Sequence, residues 1–117
     1  MARISTHVLD TAHGRPAAML RVGLYMLLEG ERHPVHTAIT DSSGRTAEPL
    51  LEAEHIEPGE YEIAFNVADY FRGMGLDVAS PPFLDQVIVR FGISDPHGDY
   101  HVPLLVSPYG YSTYRGS

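Results

Sequence analysis

The chain has 117 residues, of which 44% are hydrophobic and 20% are charged, a composition typical of one globular domain. This composition excludes a disordered tail, a coiled coil or a collagen-like fibre, and no apolar run approaches the ~20 residues that span a bilayer. Fifteen acidic residues against eight arginines give a net charge of −7, and without a basic cluster the chain is a poor candidate for nucleic-acid binding. The absence of lysine argues against Schiff-base chemistry, and the absence of cysteine argues against thiolate and disulfide chemistry.

Short apolar segments alternate with turn residues along the whole chain, which is typical of an all-β sandwich or barrel. Period-two alternation, as in Leu20, Val22 and Leu24, predicts half-buried strands. In chain order, the predicted strands cover residues 5–9, 20–28, 32–40, 50–54, 60–67, 87–93, 101–106 and 111–114. One short helix is predicted over residues 68–74, before Gly75.

Seven or eight strands in a single domain of residues 1–117 predict a two-sheet β-sandwich. The turn at residues 95–99 lies between two long predicted strands, 87–93 and 101–106. Because a short turn of this kind commonly joins neighbouring antiparallel strands, we expect these two strands to form a hairpin.

Two histidines lie in predicted strands on the side opposite the apolar residues. His7 alternates with Val8, and His101 alternates with Val102, so both side chains are expected on the outer surface of the sandwich. A histidine held on a rigid strand suits general acid–base catalysis, because its reference pKa lies near neutrality. The spacing alone equally allows a surface histidine or a hydrogen-bonded structural one.

Other polar residues give weaker indications. Arg45 follows the turn at residues 41–44 and is suited to bidentate binding of an anion or amide, although a solvated loop arginine fits the same position. The pairs His33 with His36 and His97 with His101 have short spacings, but an extended chain separates residues four apart by ~13 Å. We therefore expect no metal site.

Three segments carry a resemblance to a known family. They are STHVLD at residues 5–10 with GRPA at 14–17, GRT at 44–46, and HVPLLVSP at 101–108 followed by GYSTYRGS at 110–117. On these motifs the chain resembles the 5-hydroxyisourate hydrolases, the transthyretin-related enzymes of urate breakdown. The resemblance covers essentially the whole length, and the YRGS motif is its most specific part.

The resemblance implies a transthyretin-like sandwich of two four-stranded sheets with one short helix, assembled as a homotetramer that is a dimer of dimers. It implies hydrolysis of the cyclic amide of 5-hydroxyisourate, a small-molecule substrate, in a cleft between dimers and without a metal or organic cofactor. The catalytic residues that it implies are His7, Arg45, His101 and Ser117. Arg45 is also implied in substrate binding, together with Tyr114, Arg115 and Gly116.

One position departs from the family pattern, since many relatives have tryptophan where this chain has Tyr109. Tyrosine keeps an aromatic face, so we expect altered packing rather than lost activity.

The alternative function is a transthyretin-type carrier of a small ligand, which shares the fold. A structural or adhesive sandwich domain is a third class. His7, His101 and YRGS favour the enzyme, because vertebrate transthyretin lacks their equivalents. With no secretory signal or peroxisomal address visible, the expected location is the cytoplasm, without membrane association.

Overall fold

A computed structural model describes all residues from Met1 to Ser117 and shows two β-sheets that face each other. The strands are β1 Ala2–Asp10, β2 Arg15–Pro16, β3 Arg21–Leu28, β4 Glu31–Ile39, β5 Leu51–Ala53, β6 Gly59–Asn66, β7 Gln86–Ile93, β8 Asp99–Ser107 and β9 Gly110–Thr113. One helix, α1, covers Val67–Gly73. No helix of the chain has the length and apolar character needed to cross a membrane.

The two sheets have different strand orders. The five-stranded sheet has the order β2-β1-β8-β9, with β5 paired to β1, and the four-stranded sheet has the order β4-β3-β6-β7. All pairings are antiparallel except that of β1 with β8, which runs parallel from Arg3 opposite Asp99 to Asp10 opposite Val106. The predicted two-sheet sandwich with one short helix is confirmed. The expected seven or eight strands in two sheets of four become nine strands in sheets of five and four, because the short segments β2 and β5 both pair with β1.

The core lies between the inner faces of the two sheets. From β1 it takes Ile4 and Val8, which are fully buried, while the side chains of Ser5 and His7 between them are only half-buried on the outer face. The remaining fully buried large side chains come from both sheets, the loops and the helix: Leu20, Val22, Leu24, Leu50, Tyr61, Ile63, Phe65, Val67, Phe71 and Leu104. Burial of these apolar residues therefore decides which face of β1 is turned outward.

The predicted hairpin between residues 87–93 and 101–106 is wrong. β7 pairs with β6 in the four-stranded sheet, whereas β8 pairs with β1 and β9 in the five-stranded sheet. The turn between β7 and β8 thus crosses from one sheet to the other, held by hydrogen bonds from Asp95 N to Tyr100 Oη (2.9 Å) and from Ile56 N to Pro96 O (2.8 Å). Local alternation is the same for strands of either sheet, so it does not reveal this crossing.

A buried carboxylate anchors the end of β1 to the helix. Asp10 is 1% exposed and accepts hydrogen bonds from Tyr70 Oη (2.7 Å), His13 Nδ1 (2.6 Å) and His13 N (3.0 Å). Burial alone raises the pKa of Asp10, but the hydrogen bonds from Tyr70 and His13 outweigh burial and leave the pKa below 3.8. Burial and the same carboxylate raise the pKa of Tyr70 to about 12. These three hydrogen bonds satisfy the buried carboxylate and hold the end of β1 against the helix.

Candidate active site

The parallel pairing of β1 with β8 brings the two histidines to one region of the outer face. His101 lies opposite Ser5 and His7 lies opposite Pro103, so the two imidazoles belong to neighbouring strands at successive outward positions. The burial patterns of β1 and β8 confirm that both side chains point away from the core. Two groups of near-neutral reference pKa therefore share one surface of the five-stranded sheet.

A tight loop brings Arg45 to the same place. Arg45 forms an isolated antiparallel bridge with His7, on the edge of β1 that lies opposite β8, and Val8 N donates to Gly44 O at 2.8 Å. Asp41 Oδ1 organises this loop by accepting hydrogen bonds from Ser43 Oγ (2.6 Å), Ser43 N (2.9 Å) and Arg45 N (3.3 Å). The hydrogen bonds from Ser43 are the main reason that the pKa of Asp41 lies below 3.8.

Gly44 allows the loop to close against β1. Its φ is +80°, and a Cβ at this position would collide with the carbonyl oxygen of Val8 and would lie 3.2 Å from His7 Cδ2. Glycine satisfies both requirements because it adopts positive φ freely and has no Cβ. The position of Arg45 beside His7 depends on this close approach.

The hydrogen bond of His7 assigns its protonated nitrogen. His7 Nε2 lies 2.9 Å from the backbone oxygen of Ser43, and a carbonyl oxygen can only accept. Nε2 therefore carries the hydrogen, and in the neutral ring the lone pair is on Nδ1.

His101 is held on two sides. Its Nδ1 lies 2.9 Å from Ser5 Oγ, and its backbone oxygen accepts a hydrogen bond from Gly116 N at 2.8 Å. Burial is the main cause that lowers the pKa of His101 below 6.5, and the charges of Arg45 and His7 lower it further. The neutral form of His101, which can accept a proton, is therefore favoured.

The C-terminal residues divide between two locations. Gly116 packs on His101 so closely that a Cβ would lie 2.6 Å from His101 Cδ2. Arg115 is turned elsewhere, with its guanidinium 4.3 Å from the ring centre of Tyr100 and Nη2 3.3 Å from Asp99 O. Arg115 and the exposed Tyr114 line a cavity of about 350 Å³ between β7 and the tail, and Ser117 is exposed.

Ser5, Asp41 and Ser43 are site residues that the sequence reasoning did not single out as functional. The alternation that placed His7 on the outer face also places Ser5 there, so that signal was present. The contacts of Ser43 with His7 depend on the loop and had no signal in the sequence. No group of three or more His, Cys, Asp or Glu side chains is arranged to hold a metal ion.

Comparison with known proteins shows the family of this chain. Residues 4–116 match the model described as HIUase/Transthyretin family. The chain belongs to this family. A family relative from Rhizobium meliloti, 5-hydroxyisourate hydrolase 2, is 53% identical over 115 residues, which are 98% of this chain and 96% of the relative. The 5-hydroxyisourate hydrolase of Ralstonia nicotianae is 50% identical over the full length of both chains.

Three solved structures superimpose over nearly the whole of this chain. The 5-hydroxyisourate hydrolase of Klebsiella pneumoniae gives a TM-score of 0.82 at 31% identity, with 100% of both chains covered. A structure of (S)-allantoin synthase gives a TM-score of 0.91 at 41% identity, covering 99% of this chain but 44% of that protein. Sea bream transthyretin in complex with thyroxine, at 24% identity and a TM-score of 0.86, shows the shared fold.

Two glycine substitutions test the fit of the Asp41–Arg45 loop against β1. We expect Gly44→Ala to lower the free energy of unfolding by about 3 kcal/mol, because it adds a steric overlap to the cost of positive φ. Gly30→Ala is the matched control, since Gly30 also has a φ of +80° but a Cβ there meets nothing within 4 Å. We expect it to cost about 1 kcal/mol, measured by urea unfolding. Equal losses would show that the loop can move away from β1 at little cost.

Proposed function

We propose that this chain hydrolyses 5-hydroxyisourate to 2-oxo-4-hydroxy-4-carboxy-5-ureidoimidazoline in urate degradation. The observation that carries the proposal is the convergence of His7, Arg45 and His101 on the outer face of the five-stranded sheet. The substrate is supported by relatives that share about half of the sequence over its full length and are named 5-hydroxyisourate hydrolases.

Hydrolysis of a cyclic amide needs a base that activates water, a group that stabilises the oxyanion and a proton for the leaving nitrogen. We assign the base to His101, since its lowered pKa favours the neutral form that accepts a proton. Water adds to the amide carbonyl as His101 takes one of its protons, and the C–N bond then breaks. No metal or organic cofactor takes part in this scheme.

Arg45 supplies a permanent positive charge where the oxyanion develops, and its planar donors suit the carbonyl-rich edge of the substrate. When both of its ring nitrogens are protonated, His7 donates the Nδ1 proton to the leaving nitrogen. It regains a proton as His101 releases the one that it took from water. Because Nε2–H of His7 is committed to the Ser43 oxygen, Nδ1 is the nitrogen that exchanges a proton with the substrate. The backbone loop that positions Arg45 therefore also orients His7.

The C-terminal tail closes the pocket on the side of His101. Gly116 is part of this wall through its hydrogen bond to the His101 backbone and its contact with the ring. We assign a substrate contact to Ser117, which follows Gly116 in the chain. Tyr114 and Arg115, expected from the family resemblance to bind substrate, line the separate cavity between β7 and the tail, so within one chain they lie away from His101. A cytoplasmic location belongs to the same proposal and stays a prediction.

The activity is tested by generating 5-hydroxyisourate with urate oxidase and following its ultraviolet decay. We expect the wild-type chain to accelerate the decay, and we expect His101→Ala and His7→Ala each to lower kcat/KM by roughly 10²-fold or more, because each removes a proton-transfer group. His36→Ala is the control, since His36 is exposed on β4 in the other sheet. Failure of the folded wild-type chain to accelerate decay would refute the hydrolase and favour a ligand carrier.

The pH profile tests the electrostatic coupling between Arg45 and His101. The base acts in its neutral form, so kcat/KM falls as pH drops through the pKa of His101, and the wild-type midpoint lies below 6.5. Arg45→Gln removes one cause of the lowered pKa, so the midpoint moves to higher pH while the maximal rate also falls. Arg72→Gln on the helix should leave the profile unchanged. An unchanged midpoint in Arg45→Gln would show that Arg45 does not lower the pKa of His101.

A homotetramer, a dimer of dimers with the sites between dimers, completes the proposal. It is supported by open sheet edges, those of β7 and β9 among them. It is also supported by exposed aromatic side chains that include Phe83 and Tyr109, which are 71% and 73% exposed with ring centres 5.9 Å apart. Sedimentation velocity should give a mass near four times the 12.9 kDa of one chain. A monomer that persists at high concentration would contradict this assembly.

A further inference from the structure

Ser5 is the side chain that contacts the ring of His101 through a polar atom. The two residues are opposite each other in the parallel pairing of β1 with β8, and Ser5 Oγ lies 2.9 Å from His101 Nδ1. Both are half-buried on the outer face of the five-stranded sheet, so the contact is partly shielded from solvent. A hydroxyl can donate or accept, and the direction of this hydrogen bond has a consequence for the other nitrogen of the ring.

A neutral imidazole carries one hydrogen and one lone pair on its two nitrogens. If Nδ1–H donates to Ser5 Oγ, then Nε2 has the lone pair and can take a proton from water. If Ser5 donates to Nδ1, then Nε2 carries the hydrogen and cannot act as a base. The direction of the hydrogen bond between Ser5 and His101 therefore decides whether Nε2 of His101 can act as a base.

The surroundings of the ring favour the first arrangement. Arg45 and His7 are the charged or titratable groups that act on His101, and the Arg45 guanidinium offers only donors. The tail covers the Cδ2 edge of the ring through Gly116, whose backbone contributes no acceptor to Nε2 in the structure. A pocket that is rich in donors is complemented by a lone pair on Nε2, whereas a hydrogen there adds one more donor.

We propose that Ser5 accepts a hydrogen bond from Nδ1–H of His101 and thereby holds the Nε2 lone pair toward the substrate pocket. Ser5 is a positioning residue in this scheme, because it acts through His101 and makes no contact with the substrate. The inference rests on the proposed hydrolase function for its effect on rate. Its effect on the ring itself is independent of that function.

The experiment compares wild type with Ser5→Ala, with Ser5→Thr, which retains the hydroxyl, and with Ser107→Ala. Ser107 lies on the same strand as His101, and its hydroxyl contacts only the β8–β9 turn. Two-bond ¹⁵N–¹H correlation spectra above pH 7.5, with the His101 signals assigned by their absence in His101→Ala, report which ring nitrogen carries the hydrogen. We expect the Nδ1–H form in wild type, Ser5→Thr and Ser107→Ala, and a mixture of both forms in Ser5→Ala.

Steady-state kinetics supply the second readout. We expect Ser5→Ala to lower kcat roughly tenfold with KM changed by less than about twofold, because one neutral hydrogen bond to the base is lost while the substrate contacts stay. Ser5→Thr should recover most of the lost rate, and Ser107→Ala should match wild type in both constants.

Several results would overturn the inference. A wild-type His101 ring with the hydrogen on Nε2 does so by itself, whatever the Ser5 variants show. A Ser5→Ala chain with wild-type kcat and an unchanged tautomer does so as well. By contrast, an inactive wild-type chain whose His101 shows the Nδ1–H form refutes the hydrolase function and leaves the hydrogen bond in place.

Discussion

The parallel pairing of β1 with β8 is the constraint on which the site depends. These two strands are far apart in the sequence, and their register sets Ser5 beside His101 and His7 beside Pro103. Since side chains alternate across a strand, a slip of one residue would turn His101 inward and expose Val102. The buried residues of both strands therefore hold the two histidines on the same surface. Packing in the core fixes the strand register, and the register fixes the positions of the polar side chains.

The second element of the site is a loop that behaves as an extra strand segment. The Asp41 carboxylate orders the backbone at Ser43 and Arg45, and Gly44 lets this backbone lie against Val8. One short segment thereby supplies the cation of the site and the carbonyl that fixes the tautomer of His7. Two functions that look independent in the sequence are tied together by one turn, so a change in the loop affects both.

Electrostatics explains how two histidines and an arginine coexist on this surface. A charged His101 would be partly desolvated beside a permanent cation, so its pKa is lowered and the neutral ring is favoured. The chain as a whole is acidic, with a net charge of −7, yet the site itself offers mainly donors and a cation. That arrangement suits a substrate with several carbonyl oxygens and a transition state with negative charge on one of them.

Much of this protein could be predicted from its sequence, and the exceptions have a common cause. Alternation in β1, β3, β6, β7 and β8 was sufficient to predict these strands and the sandwich as a class. It also predicted the outward direction of His7 and His101. The two-residue strand β2 at Arg15–Pro16 was missed, because two residues are too short to show a period. The motifs around His7, Arg45 and the tail were sufficient to indicate the family.

The tertiary structure decided what depends on residues distant in the chain. It assigned β7 and β8 to different sheets, since the same alternating pattern serves either sheet and only packing chooses between them. It also brought Ser5 to His101 and Ser43 to His7, and it turned Arg115 toward Tyr100 while Gly116 reached His101. The sequence by itself determined which groups carry the chemistry and which face of each strand they occupy. Their protonated nitrogens and neighbours were decided by long-range pairing, because a hydrogen bond between residues 96 positions apart leaves no local pattern.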